Sequence, residues 1–434
     1  MATSLKNKNL LIVHALDHYL YEYLFKLTPF LKKKGFTVSV LVFDEKIFAQ
    51  YKSIGIAAEY FPKYVRLAYK LNRFVILRPV AWIACYFWTF LNRSNYDLAV
   101  VPWDNKMIYY AILRGIESIT VHNTTNFIDL ELELAEQKSK KDHFLMKKIE
   151  SIFKVNLMPR FMEEITRHGF HWYIDKLMGM RSSSLIQGFS GIELMTVTGD
   201  QIKKNLTLAG LNNLPSIHVI GNPSYEGYLG YARDFSDLKK REILESLGFS
   251  RDDRMFTLFL SPSKFTETMI KEINLVLSTI RDYSEEAAVC LKFHPKTNEI
   301  DIDQITKMLH SLIDKHHVIK DFTGDDYNLD LVLSSEALIQ KQSTIGYIAM
   351  LTRIPIVSYN ILDTEYGDDM YKVLGCSFHA ETTEELKNNL KKLDNASELR
   401  KLFEQQKRAC KRFCLETDSP LENFSEVVSS FLTK

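Results

Sequence analysis

Residues Ala287–Lys296 read AAVCLKFHPK. From Ala287 to Phe293 the run is apolar except for Lys292, and it then stops at a histidine, a proline and a lysine. A short, nearly unbroken apolar run is how a strand buried on both faces of a parallel sheet reads. Pro295 ends it, because proline brings no N–H to a ladder. His294 then has two readings. It is a satisfied core histidine, or it is a ligand-facing side chain at the carboxyl end of a strand.

The surrounding chain repeats the pattern. Met255–Lys264, MFTLFLSPSK, is again strand then loop, and helices are expected over Lys239–Leu247, Thr266–Arg281 and Ile302–Asp314. HVIKDF (317–322), LDLVLSS (329–335) and IPIVSYN (354–360) read as further strands, with a helix over Ser343–Leu351 and more helices closing the chain. The first half alternates in the same way. NLLIVHA (9–15) precedes a helix over Tyr19–Lys34, and TVSVLVF (37–43), YDLAVVP (96–102), SITVHN (118–123), LMTVTG (194–199) and SIHVIGNP (216–223) follow as strands. Strands alternating with helices imply parallel, doubly wound sheets. The expected fold class is α/β, with two Rossmann-like units joined by a linker over Ser224–Lys239. Glu133–Met180 is charged, Met-rich and helical in pattern, and reads as a helical insertion in the first unit.

A chain of 434 residues, 46% hydrophobic, suits two or three domains with sizeable cores. A net charge of +1 argues against nucleic acid as the partner. The five cysteines are scattered and form no CxxC pair, which suggests a reducing, cytoplasmic setting. The start, MATSLKNKNLLIVHAL, does not read as a signal peptide. No GxGxxG, Walker loop or zinc spacing occurs. Lys63–Arg93 stands apart, with six basic residues and no acid. Its longest charge-free run, Pro79–Asn92, is too short for a span of about 20 residues. Basic residues beside Trp82, Tyr86, Phe87 and Trp88 fit a helix lying on an anionic membrane surface, and equally a buried helix with a basic rim.

In open parallel sheets, ligands bind beyond the carboxyl ends of the strands. In the second unit those ends carry Ser261, Ser263 and Lys264, then His294 and Lys296, then Thr323–Asp325, Gln342, Ser343 and Thr344, then Tyr359 and Asn360. Hydroxyls, cations and a histidine on one sheet edge suit an anionic ligand. Ser343 and Thr344 are expected at a helix start, where they either cap it or help it hold a phosphate. In the first unit the ends carry Asp17 and His18, Asp104, and His122, the candidate general bases.

LKFHPK, followed about fifty residues later by QSTIGYIAMLTRIPIVSYN (342–360), resembles the HP and S/T motifs of bacterial GT-B glycosyltransferases of surface-carbohydrate assembly. Sialyl- and polysialyltransferases, lipopolysaccharide and capsule transferases and CDP-glycerol transferases share that pair. TVTGDQIKKNLTLAGLNNLPSIHVIGNPSYE (196–226) is similar to the segment that ends the N-terminal domain of such enzymes and of UDP-GlcNAc 2-epimerases. The resemblance implies two Rossmann-like domains facing a central cleft. They would be an acceptor domain over 1–230 with its insertion at about 133–180, a donor domain over 231–400, and helices over 401–434 that return to the first domain.

It also implies glycosyl transfer from a nucleotide sugar, CMP-linked by preference, to a cell-surface glycan or a lipid-linked acceptor. No metal and no other cofactor would take part, the outcome would be inverting, and the site would be cytoplasmic, on the inner face of the membrane. His294, Ser343 and Thr344 would contact the donor phosphate beside the Ser261–Lys264 loop, with Lys296 and Gln342 near them and Asp17, His18 or Asp104 as base. Asp325–Asp326 is a pair of adjacent acids, not the DxD of metal-dependent transferases. A 2-epimerase, a CDP-polyol phosphotransferase and a non-catalytic nucleotide-sugar binder are the alternatives. Two positions depart from the pattern: Ile348 stands where an acid is frequent, and Arg353–Ile354 where a glycine is usual.

Overall fold

The structure, a computed structural model, describes residues 8–14, 23–71, 78–102, 112, 116–122, 194–208, 216–260, 264–294, 297–320, 324–341, 343–362, 370–413 and 415–433. The expected insertion at 133–180 lies outside them.

The first strand, β1 (Asn9–His14), has four wholly buried residues in a row, Leu10 to Val13. Such a strand needs both faces covered, and both are. Leu10 and Ile12 enter one hydrophobic core with Val40, Val100 and Ile119, while Leu11 and Val13 enter another with Ala99, Val101 and Met195. Around β1 the chain builds β2 (Thr37–Val42), β3 (Glu59–Tyr60), β4 (Leu98–Pro102), β5 (Ser118–His122), β6 (Leu194–Val197) and β7 (Ser216–Val219). These form one sheet in the order β3-β2-β1-β4-β5-β6-β7, with every pairing parallel.

The second sheet holds β8 (Met255–Leu260), β9 (Ala288–Phe293), β10 (His316–Ile319), β11 (Ala337–Gln340), β12 (Ile356–Tyr359) and β13 (Phe378–Ala380). Its order is β10-β9-β8-β11-β12-β13, again parallel throughout. Capped helices join the strands. Thr266 accepts the Met269 N–H at 3.2 Å to open Glu267–Tyr283, and Asn298 accepts the Asp301 N–H at 2.8 Å to open Glu299–Leu312.

One element differs in kind from its reading. LDLVLSS belongs to a helix, Gly324–Ser334, and the strand is ALIQ just after it. Leu329, Leu331, Val332 and Ser334 are all buried, and an apolar run buried on all sides has no period to separate helix from strand.

The chain divides into two units: Met1–Glu226 with Ser419–Lys434, and Gly227–Asp418. The closing helices separate between them. Ala396–Phe413 belongs to the second unit, where Gln406 donates to the Ile354 carbonyl at 3.0 Å. Pro420–Leu432 completes the first, burying Leu421, Phe424 and Val428 beside Tyr23, Leu24 and Leu27.

Candidate functional site

Each sheet has a point where its strand order reverses. In the second, the chain runs from β8 outward through β9 to β10, then returns to β11 on the other side of β8. Ligands of open α/β sheets bind at the carboxyl edge of such a point. Ser261, Ser263 and Lys264 follow β8, His294 and Lys296 follow β9, and Gln342, Ser343 and Thr344 follow β11. Of these, Ser261, Ser263, Lys296 and Gln342 lie outside the described residues.

His294 directly follows β9 and is half-buried. Its carbonyl accepts the Thr297 N–H at 2.9 Å, closing the turn into the next helix. Lys264 is exposed. Sequence reasoning missed the residue that ties the loops of these two together. Asp301, 8% exposed, accepts the Phe265 N–H at 2.9 Å and the Asn298 side-chain N–H at 2.5 Å. The loop after β8 is thereby held to the loop after β9.

Ser343 and Thr344 correct the helix-start expectation. The helix proper is Gly346–Thr352, and Ile345 before it offers no side-chain cap. The N–H groups of Gly346, Tyr347 and Ile348 already donate to the carbonyls of Ser343, Thr344 and Ile345, at 3.1, 3.1 and 2.9 Å. The first turn thus satisfies its own N–H groups, and an anion here would meet the hydroxyls instead. Thr344 is exposed, and the Ser343 hydroxyl accepts the Ile345 N–H only at 3.4 Å.

Behind these residues lies a row of three buried polar side chains with Phe259 among them. Lys292, Phe259, Gln340 and Ser358 stand in register across β9, β8, β11 and β12, and all are buried. Burial lowers the pKa of the Lys292 ammonium, against a smaller opposite effect of Cys290. Gln340 is wholly buried, and neither side-chain amide atom has a hydrogen-bond partner among the described residues. It presses on Gly346, where a Cβ would lie 2.4 Å from Gln340 Nε2 and 2.6 Å from the Tyr371 hydroxyl, so only glycine fits. Tyr371 in turn donates to the Ser343 carbonyl at 2.5 Å. The strand end, the S/T turn and Tyr371 form one packed unit.

Lys341, next after β11, pairs with Glu272 at 2.7 Å, their side chains 15% and 2% exposed. The other Glu272 oxygen accepts the Leu362 N–H at 3.0 Å. Burial, with the Glu272 charge second, pushes the Tyr359 phenol far above its ordinary value. Arg353, at the departure from the glycine pattern, is the only non-glycine residue with positive φ among those described, at 61°. Its guanidinium donates to the Met350 carbonyl and to Glu416, so it closes its helix and neither reaches toward a ligand nor lies free.

In the first sheet the reversal lies between β1 and β4. Asp17 and His18 follow β1 and Asp104 follows β4; all three lie outside the described residues, as does the side chain of His122. His14, which ends β1, is 1% exposed, with Nδ1 3.1 Å from the Tyr51 hydroxyl and its ring 4.9 Å from that of Phe25. It serves the core. Among the described residues no group of three or more His, Cys, Asp or Glu is placed to hold a metal ion.

No family model and no curated protein matches the sequence. Solved structures do match the fold over nearly the whole chain. A UDP-GlcNAc 2-epimerase from Neisseria meningitidis bound to UDP-GlcNAc superposes with a TM-score of 0.58 at 13% identity, covering 97% of this chain and 100% of that one. A glycosyltransferase from Rickettsia africae gives 0.57 at 11%, covering 99% of each. The fold is of the GT-B type. Anabaena HepE in complex with UDP and glucose gives 0.51 at 11% identity, over 98% of this chain and 100% of that one. Both parallel sheets, with their reversals at β1/β4 and β8/β11, belong to this GT-B architecture.

Proposed function

We propose that this chain is a metal-independent, inverting glycosyltransferase that moves a sugar from a nucleotide-sugar donor to a bacterial cell-surface glycan or lipid-linked acceptor. The observation that carries the reading is the reversal point of the second sheet. There His294, Lys264 and the Ser343–Thr344 turn follow three adjacent strands, on loops tied back by Asp301 and Tyr371.

Glycosyl transfer separates a sugar from a phosphate. The departing oxygen gains charge, and fixed donors aimed at it lower the barrier. His294 offers an N–H, and the Ser343 and Thr344 hydroxyls offer two more donors. Lys264 and Lys296 supply positive charge, and Gln342 a further amide. Asp17, His18 or Asp104 takes the acceptor's proton. His294→Ala is expected to lower kcat by about 10²-fold or more, the usual scale for losing one such donor. Full activity and full donor affinity in that variant would remove His294 from the site.

Motif and fold point to different nucleotides. The HP and S/T resemblance favours CMP, whereas the N. meningitidis and Anabaena structures hold UDP-GlcNAc and UDP. A thermal-shift panel of CMP, CDP, UMP, UDP and GDP decides, since a ligand of the folded state raises the midpoint. The fold relatives also support a second reading, a 2-epimerase. A transferase releases nucleotide when acceptor is present. An epimerase converts UDP-GlcNAc alone into its C2 epimer. Stabilisation by a nucleotide with neither reaction would mark a binding protein, and no stabilisation by any of the five would end the nucleotide-sugar reading.

A further inference from the structure

Two helices of the first unit, Lys63–Leu71 and Arg78–Asn92, turn an apolar side outward. Their inner side is core: Val65, Cys85 and Trp88 are buried, and the Trp88 ring packs edge-on to Phe61 at 5.0 Å. Trp88 is therefore no surface anchor: of the two readings the sequence left open, it follows the buried one. On the outer side, Ile83, Phe87, Phe90 and Leu91 are 68%, 55%, 61% and 54% exposed. They recur at i, i+4, i+7 and i+8, a single stripe along the helix. Tyr64 and Leu67 of the partner helix are exposed as well. Contiguous large apolar side chains on a surface mark an interaction site.

Charge selects the occupant. Every charged residue from Lys63 to Arg93 is basic, six of them, with no acid. Lys63 and Arg93 are exposed, and the Arg93 guanidinium lies 4.7 Å from the centre of the Phe90 ring, at the end of the stripe. A second copy of this chain, docked by the same patch, would set this all-positive segment against itself. An anionic lipid surface complements it. We propose that the two helices dock the protein on an anionic bilayer, with the Ile83–Leu91 stripe entering the acyl boundary and Lys63 and Arg93 meeting lipid phosphates. The helix lies in the interface rather than spanning it: no helix among the described residues is long and apolar enough to cross a membrane.

This surface is independent of the donor site, so vesicle binding and nucleotide binding can fail separately. The test is co-sedimentation of the full chain with phosphatidylcholine vesicles, with and without phosphatidylglycerol. Binding is expected with the anionic vesicles only, weakening as salt rises. Phe87→Glu with Phe90→Glu should cut binding by about tenfold or more with the thermal midpoint unchanged, since both side chains already face solvent. Arg93→Glu, off the apolar stripe, should weaken the same binding and so covers the case in which the double variant fails to fold. No binding to anionic vesicles, or equal binding by the variants, would overturn the proposal. So would a wild-type dimer that the double variant splits, which would make the patch a contact between copies.

Discussion

At Arg353 the sequence shows that a glycine is missing but not what the replacement does. The structure explains it. The residue sits at φ 61° and ψ 39°, closing the helix Gly346–Thr352, and its N–H donates to the Ala349 carbonyl. This left-handed corner is where glycine is usual, because other residues pay about 1 kcal/mol there. Arg353 offsets that with its guanidinium, held by the Met350 carbonyl and Glu416. Arg353→Gly should therefore be near neutral, trading a partly exposed ion pair for a relaxed backbone. Arg353→Ala should lose the ion pair and keep the strain, costing about 1 kcal/mol. Urea unfolding of both variants checks the order; an alanine variant as stable as the glycine variant would contradict it. The position of His294 at a strand end was legible, because Pro295 marks where that strand must stop. Gln340 was not, since nothing in ALIQ tells that a buried amide lies against a glycine six residues on.

Among elements, the strands that read clearly were those whose apolar runs are stopped by a proline, such as β8 and β9. The region from Gly324 to Thr352 resisted. A four-residue strand there follows a helix whose last turn is equally apolar, and a self-bonded turn takes the place of a hydroxyl cap. Hydrogen bonds between distant segments hold these pieces, and local sequence does not show them. The Lys341–Glu272 pair is the main case. It links the end of β11 to the helix Glu267–Tyr283, and Glu272 also holds the loop after β12 through Leu362. Lys341→Ala leaves a carboxylate that is 2% exposed without its cation, which should cost about 3–5 kcal/mol. Lys341→Ala together with Glu272→Gln should recover part of that loss in chemical denaturation. If the double variant is no more stable than the single one, the pair is not what the loop depends on.

Across the whole molecule, the parallel α/β architecture was readable because alternation of strand and helix runs nearly from end to end. How the chain's last residues are used was less so. The helix Pro420–Leu432 carries three core residues of the first unit, and its Leu421 N–H and Asn423 side chain donate to Glu226 and to the Ile220 carbonyl, at 2.9 and 3.1 Å. Deleting residues 419–434 should lower the stability of the first unit by several kcal/mol, at about 1.5–3 kcal/mol for each large apolar side chain lost. Two-probe unfolding, with tryptophan fluorescence reporting the first unit, should show the two units melting apart. All four tryptophans, at 82, 88, 103 and 172, belong to that unit. A further consequence concerns synthesis. Domains usually fold in the order in which they leave the ribosome, the N-terminal one first. Here the first unit leaves with one side of its core uncovered and stays so until the entire second unit has been translated. Throughout that interval Tyr23, Leu24 and Leu27 lack the closing helix that covers them in the finished fold.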